Sequence, residues 1–417
     1  MKVRRVVVTG LGALTPIGNN VPDFWNGLVN GVSGANAITK FDASKFKTRF
    51  ACELKNFDPL KYFDRKEARK YDSYAQYGLA ATEEAINDSD LNLETVNLDR
   101  IGVIFSSGIG GIGTFFDEVT SFAQGDGSPR FSPFFIPKMI SDITAGHISI
   151  KYGFRGPNFC IVSACASSSN AMVDALNYIR WNKADIFVVG GSEAAINIPG
   201  VGGFNALHAL SQRNDDPATA SRPFDKDRDG FVIGEGSGVL IFEELEHAIN
   251  RGAKIYAEVA GGGMSADAYH MTSPHPEGVG AILSMRAAIE DAGLKLEEID
   301  HINTHGTSTP LGDIAETTAI VKLFGAHASK VSVNSTKSMT GHLLGAAGAI
   351  EGIATILAIK NDIIPPTINH ITDDPDIPTE VNIVFGTAEK RIVNAALSNT
   401  FGFGGHNASI IFKKFVE

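Results

Sequence analysis

The strongest constraint on the fold is an internal likeness. ACASSSNAMVDALNYI (164–179) lies over GHLLGAAGAIEGIATI (341–356) without a gap. Small residues fill the first turn of both, Cys165 falls on His342, Asp174 falls on Glu351, and apolar positions coincide beyond them. Each segment follows a strand-like run, FCIVS or VSVNS, and each leads to a further strand run with a glycine-rich end, VVGGSE or GFGGHN. Chance likeness between two Gly/Ala-rich helices is the competing explanation. The flanking runs recur in the same order, which favours two copies of one unit. The copies are expected over residues 1–253 and 254–417, with the join near 246–254.

Short β-branched runs bounded by glycine occur at 6–12, 101–108, 185–191, 237–245, 255–263, 299–306, 331–336 and 396–405. Helical patterns over 73–87, 168–180, 281–292 and 345–360 lie between several of them. Continuous apolar strands alternating with helices predict an α/β fold whose sheets are covered on both faces.

With 36 Lys and Arg against 47 Asp and Glu, the net charge of −11 argues against nucleic acid as the main ligand. The exception is Lys45–Lys70, with nine basic residues against four acidic ones. A solvated helical face is the ordinary fate of such a run, and a docking surface for an acidic partner is the alternative. Three cysteines, Cys52, Cys160 and Cys165, make no disulfide framework and point to a reducing cytosol. Cys160, within its strand-like run, reads as a buried structural thiol. MKVRRVVVTG lacks the apolar core of a secretory signal. The apolar stretch 349–359, interrupted by Glu351, falls short of the ~20 residues of a bilayer span, so no membrane segment is expected.

Three familiar patterns lead nowhere. Gly108 to Gly113 fits G-x-G-x-x-G after a strand, but the segment beyond is the loop GDGSPRFSPFF and no acidic strand end follows, so a dinucleotide site is set aside. Asp225, Asp227, Asp229 and Gly230 imitate the start of an EF-hand loop, yet its twelfth position is Gly236, and Glu235 falls one short. A zinc set of His301, His305 and His342 fails because residues i and i+4 of an extended segment lie about 13 Å apart.

The sharper signal is VSACASS (162–168), a cysteine where an apolar run meets a helix whose first turn is small. Unpaired N–H groups and the helix dipole would lower the thiol pKa and hold an oxyanion beside it. NTHGTSTPLGD (303–313) places His305 at a strand end, and NSTKSMTGHLLGAAG (334–348) places Lys337 and His342 before the helix that mirrors the Cys165 helix. A pseudo-twofold axis would bring the two helix starts together, so that Cys165 faces His342. A cysteine hydrolase, needing one base polarised by Asn or Asp, is the competing chemistry.

VSACASS, THGTSTPLGD, NSTKSMTGH, RDGFVIGEGSG and NTFGFGGHNA together resemble the β-ketoacyl-[acyl-carrier-protein] synthases, a branch of the thiolase-like condensing enzymes. The resemblance runs over almost the whole chain with the motifs in order. It implies a duplicated five-layered α-β-α-β-α fold, a homodimer, and acyl carrier protein as partner. It also implies decarboxylative condensation of malonyl-carrier protein with a cysteine-bound acyl chain in type II fatty acid synthesis. No cofactor is implied, because the carrier delivers the phosphopantetheine arm. Cys165 corresponds to the nucleophile, His305 and His342 to the two histidines, and Lys337 to the supporting lysine. Phe403 corresponds to a gate whose N–H, with that of Cys165, forms an oxyanion hole. Thr307 and Thr309, and more weakly Thr272, match contacts to the arm, and Ile109 matches the wall of the acyl pocket. Asp313, Glu316 and Glu351 match buried carboxylates, while Asp174 reads as helical packing. Lys66, Arg69 and Lys70, spaced i, i+3 and i+4, would face the carrier from one helical side. A polyketide ketosynthase shares this centre, and a non-catalytic scaffold of the same fold is disfavoured by the presence of Cys165. A monovalent cation near the carboxylates is left open.

Overall fold

Eleven strands hydrogen-bond into one continuous sheet in a computed structural model that describes residues 3–416. The strands of the first half are β1 (Val6–Leu14), β2 (Ile101–Ser106), β3 (Asn158–Phe159), β4 (Ile186–Glu193) and β5 (Gly236–Glu244). Those of the second are β6 (Ala257–Ala266), β7 (His301–Asn303), β8 (Ser332–Asn334), β9 (Asn382–Ile383), β10 (Ala395–Gly402) and β11 (His406–Lys413). The spatial order is β9-β8-β7-β10-β11-β6-β1-β5-β4-β2-β3. Setting aside the extra β9, each half therefore runs third, second, fourth, fifth, first. Pairing directions match as well. β2 is parallel to β3 and β4 as β7 is to β8 and β10, and the last two pairings in each half are antiparallel. The halves meet where Val6–Val8 of β1 pair with Ala257–Val259 of β6.

The helices repeat too. α1 (Ser73–Asp88), α2 (Ile143–Tyr152) and α3 (Ser167–Arg180) belong to the first half, and α4 (Val279–Ala292), α5 (Pro310–Phe324) and α6 (Ala347–Asn361) take the equivalent places in the second. Alternation along the strands explains the layers. In β4, Phe187 and Val189 face a central core with α3 and α6, while Ile186 and Val188 face an outer core with α1 and α2. On the far side Ile302, Leu397 and Ile411 pack against α4 and α5. The result is the thiolase-like five-layered fold, with α3 and α6 in the middle.

The aligned segments share a backbone feature just before their helices. Ala164 and Gly341, superimposed in the repeat, both have left-handed backbone, at φ +51° and +68°, and each turns the chain so that the next residue, Cys165 or His342, enters the centre. The helices approach closely there: the Ala349 N–H donates to Ser168 Oγ at 3.0 Å, and a Cβ on Gly348 would sit 2.1 Å from Ser169 Oγ and 2.9 Å from its nitrogen. Gly348→Ala is expected to destabilise the protein by about 1–3 kcal/mol through overpacking, read as a lower denaturant midpoint.

Some local expectations differ from what forms. β3 ends at Phe159, so FCIVS is mostly not strand. It lies at the sheet edge with one neighbour only, Val162 is exposed, and Cys160 is half-buried rather than core. Leu344–Asn361 is an 18-residue helical stretch of mean hydropathy 1.2, longer than the apolar run read from sequence and the only one among the described residues that meets the length and composition of a span. It is 89% buried inside the protein and serves as its central core helix. The imitation calcium loop is a brace: the Asp225 carboxylate accepts the N–H groups of Asp227, Ile371 and Thr372.

Candidate active site

Cys165 stands one residue before the N-cap of α3, at the inner end of a cavity of about 430 Å³. Thr272, Thr307, Thr309, His305, His342 and Phe403 also line that cavity. The ligand atoms of Cys165, His305 and His342 all lie within 4.8 Å of one another, and the two imidazoles stand edge to face with centroids 5.2 Å apart. His301 is elsewhere, its Nε2 paired with Asn334 Oδ1 at 2.9 Å, so the zinc set does not form.

Each histidine is held by its backbone. The His342 N–H donates to the Val232 carbonyl at 2.8 Å, its own carbonyl accepts from Gly234 at 2.9 Å, and its ring meets the edge of Phe231. Glu316 accepts the N–H groups of both His305 and Gly306 at 2.9 Å, which fixes the end of β7. Burial first, then the Lys337 ammonium, hold both imidazoles well below their ordinary pKa, so they are neutral near pH 7. Both ring nitrogens of His342 and Nδ1 of His305 are buried without a partner, ready for a bound oxygen.

Lys337 opens the short helix Lys337–Thr340, is 1% exposed, and forms an ion pair with Glu351 of α6. Burial pushes Glu351 and Glu316 up to about 7, against the pull of Lys337. Asp313, at the start of α5, is raised to about 6 by burial while Arg228 pulls it down. Asp174 is only half-buried on α3.

The thiol differs from the sequence expectation. Burial pushes it up to about 12, with Lys337 and backbone N–H groups acting the other way. A helix start alone does not offset the lost hydration of a buried thiolate. The backbone N–H groups that pull the thiol down are those of Phe403 and of Cys165 itself. Phe403 sits with Gly404 and Gly405 in the turn joining β10 to β11, and left-handed φ values of +87° and +74° make both glycines necessary. Thr307 and Thr309 share a hydroxyl hydrogen bond of 3.0 Å on the cavity wall, and Thr272 lies toward its rim.

Two groups of expected residues are placed differently. Ile109 does not line the cavity. It packs in an apolar cluster with Cys165, Ile196, Val201 and Leu344. Lys66 lies within a helix of only four residues, Arg65–Ala68, and Arg69 and Lys70 follow it, because Asp64 caps the helix and the chain turns after Arg69. They share a turn in which Lys66 and Arg69 are exposed and Lys70 is half-buried, rather than a long helical face, and none lines the cavity.

The chain matches the family models for the β-ketoacyl synthase N-terminal domain over residues 3–248 and C-terminal domain over residues 256–370. It belongs to the β-ketoacyl synthase family. Among similar synthases, the 3-oxoacyl-[acyl-carrier-protein] synthase 2 of Synechocystis is 50% identical over 415 residues, covering 100% of this chain and 99% of that protein. The enzyme of the same name from Vibrio harveyi is 49% identical over 418 residues and all of both chains. A β-ketoacyl synthase from Burkholderia phymatum superimposes with a TM-score of 0.92 at 34% identity, over 99% of this chain and 100% of that one. A ketosynthase solved with its type II PKS acyl-carrier protein and bound to a hexaketide gives 0.91 at 34% identity over all of both chains.

In this synthase several residues near the centre escape the motif reading. Arg228, 5% exposed, reaches Thr309 and Pro310 carbonyls and braces the threonine wall. Asn399 joins Glu316 to Ser409. Glu235, paired with Lys40 and accepting the Leu54 N–H, pins the strand-like segment that holds His342. Both Arg228 and Glu235 lie within RDGFVIGEGSG, where the calcium reading drew attention to the wrong carboxylates. Glu193 gave no signal beyond ending a glycine-rich strand.

Proposed function

We propose that this β-ketoacyl synthase extends carrier-bound acyl chains by two carbons, with Cys165 as nucleophile and His305, His342 and Lys337 as its partners. The observation that carries the reading is the convergence of a buried thiol, two neutral imidazoles with free ring nitrogens and two backbone N–H groups at the end of one cavity. The Cys165 sulfur attacks the acyl thioester, the new C–S bond forms, and the carrier's thiol leaves with the proton Cys165 gives up. The N–H groups of Cys165 and Phe403 hold the oxyanion. Malonyl thioester then loses CO2, and the electron pair of the broken C–C bond passes into an enolate whose oxygen His305 and His342 bind. The enolate carbon attacks the acyl-cysteine, a C–C bond forms, and the pair from the broken C–S bond returns to Cys165. Thr272, Thr307 and Thr309 contact the pantetheine arm along the cavity, and the Phe403 turn gates the acyl side. No cofactor is needed.

Fatty acyl chains are favoured over polyketide chains because relatives named synthase 2 share 46–50% identity over their full length, against 34% for the ketosynthase solved with a type II PKS acyl-carrier protein. The test is the product released from acyl-loaded enzyme by malonyl-carrier protein. A β-ketoacyl thioester with one CO2 supports the reading, and free acid replaces it with a hydrolase.

The acidic carrier docks on the basic turn at Lys66, Arg69 and Lys70. Reversing these three charges is expected to raise KM for the acyl-carrier protein at least ~10-fold, mostly through kon and with a weaker salt dependence. Transfer from a small acyl thioester lacking the protein serves as the unaffected control. The working unit is a homodimer in the cytosol. Exposed Phe115, Phe122 and Phe131 join through Phe135 into an aromatic patch, and β3 is an open sheet edge. Sedimentation at the mass of one chain would contradict the dimer.

A further inference from the structure

The G-x-G-x-x-G turn does cradle an anion, and the anion is internal. Glu193, at the end of β4 and fully buried, accepts the Gly108 N–H at Oε2 (2.8 Å) and the Ile109 N–H at Oε1 (3.2 Å). The Ser107 hydroxyl donates to Oε1 at 2.8 Å and itself accepts from Gly110 at 3.0 Å. From the other half of the molecule, the Gly345 N–H donates to Oε2 at 2.9 Å. Glycine is required at both approaches. A Cβ on Gly108 would lie 2.8 Å from Oε2, and one on Gly345 would lie 2.2 Å from the Gly108 nitrogen.

The two segments tied together in this way carry opposite parts of one apolar wall. Ile109 follows Gly108, Leu344 precedes Gly345, and both pack in the cluster that contains Cys165, Ile196 and Val201. Ile109, Ile196 and Val201 do not line the open cavity. These side chains pack against one another beside Cys165, so an acyl chain on Cys165 that ran among them would have to part them.

We infer that Glu193 is a specificity-determining positioning residue, which pins the Ile109 turn to the Gly345 segment and so sets the length of acyl chain that Cys165 accepts. The inference rests on the acyl transfer proposed above. Four hydrogen bonds to one buried carboxylate resist opening, and only a chain that gains enough from burying further methylenes pays for it. A chain too short to reach the wall never meets the restraint.

The test follows acyl loading of Cys165 by intact mass, using butyryl-, octanoyl- and palmitoyl-carrier protein with wild type, Glu193→Gln and Ser107→Ala. Gln keeps the shape but loses the charge and turns an amide N–H toward backbone donors. The palmitoyl-to-butyryl ratio of loading rates is expected to rise about tenfold in Glu193→Gln, with octanoyl between, and by about threefold in Ser107→Ala, which removes one donor only. A ratio that stays at the wild-type value, a shift toward short chains, or an equal fall at every length overturns the inference and leaves Glu193 a structural brace. If Glu193→Gln does not fold, Ser107→Ala decides by the same ratio. Absence of any wild-type adduct overturns the acyl-transfer reading itself, and this inference with it.

Discussion

His342→Ala and His305→Ala are each expected to lower condensation about 10²–10³-fold while leaving acyl loading of Cys165 within about fivefold of wild type. The separation follows from where charge develops in the proposed reaction. Loading places the oxyanion at the N–H groups of Cys165 and Phe403, which neither substitution removes. Decarboxylation places it on the malonyl thioester oxygen, which the imidazoles bind. Because burial and Lys337 keep both rings neutral, each offers an N–H without a proton that would quench the enolate. The double variant is expected to cost little more than either single one, since two donors on one oxygen act as a unit. Release of CO2 from malonyl-carrier protein, measured beside loading rates, checks both statements. Loss of loading in step with decarboxylation would contradict them.

Lys337→Met is expected to lower stability by about 3–5 kcal/mol, because it strips the cation from Glu351 in the central core helix. The loss has a pH sign. Glu351 in the folded protein already titrates near 7, above its ordinary 4.5, so its protonated form is favoured on folding. Removing Lys337 raises it further. A carboxyl with a raised folded pKa costs nothing below its unfolded value and costs stability as pH rises through the folded one. Wild type and variant share that cost up to about 7, so the gap between them should stay level from about pH 5 to about pH 7 and widen only above it, as wild-type Glu351 ionises and the variant's does not. Lys337→Met with Glu351→Gln is expected to recover most of the loss and to remove the widening. Denaturant midpoints from about pH 5 to about pH 8 decide it, and a gap independent of pH would contradict the buried pair as its origin.

The duplication was legible because helix starts are written in small residues. Close approach of α3 and α6 excludes large side chains in their first turns, so ACASS and GHLLGAAG stand out and align. Cys165, Lys337 and His342 were found through the same constraint, and His305 through a strand end followed by hydroxyl residues. What stayed hidden depends on contacts between distant segments. Glu193 meets Gly345 across the two halves, and Arg228 meets Thr309 and Pro310. No local pattern encodes such pairs, and the local patterns that were present pointed to a nucleotide and to calcium. The basic spacing implies a longer helical face than Arg65–Ala68 provides, because spacing shows neither the Asp64 cap that starts the helix nor the turn that ends it. The sequence shows the helix start that lowers a thiol but not the burial that raises this one.

The most direct measurement is the intact mass of wild type and Cys165→Ala after incubation with an acyl-carrier protein and then with malonyl-carrier protein. The account predicts one acyl adduct on wild type only, discharged by malonyl-carrier protein as a β-ketoacyl thioester. An adduct that persists in Cys165→Ala, or discharge as free acid alone, would contradict it.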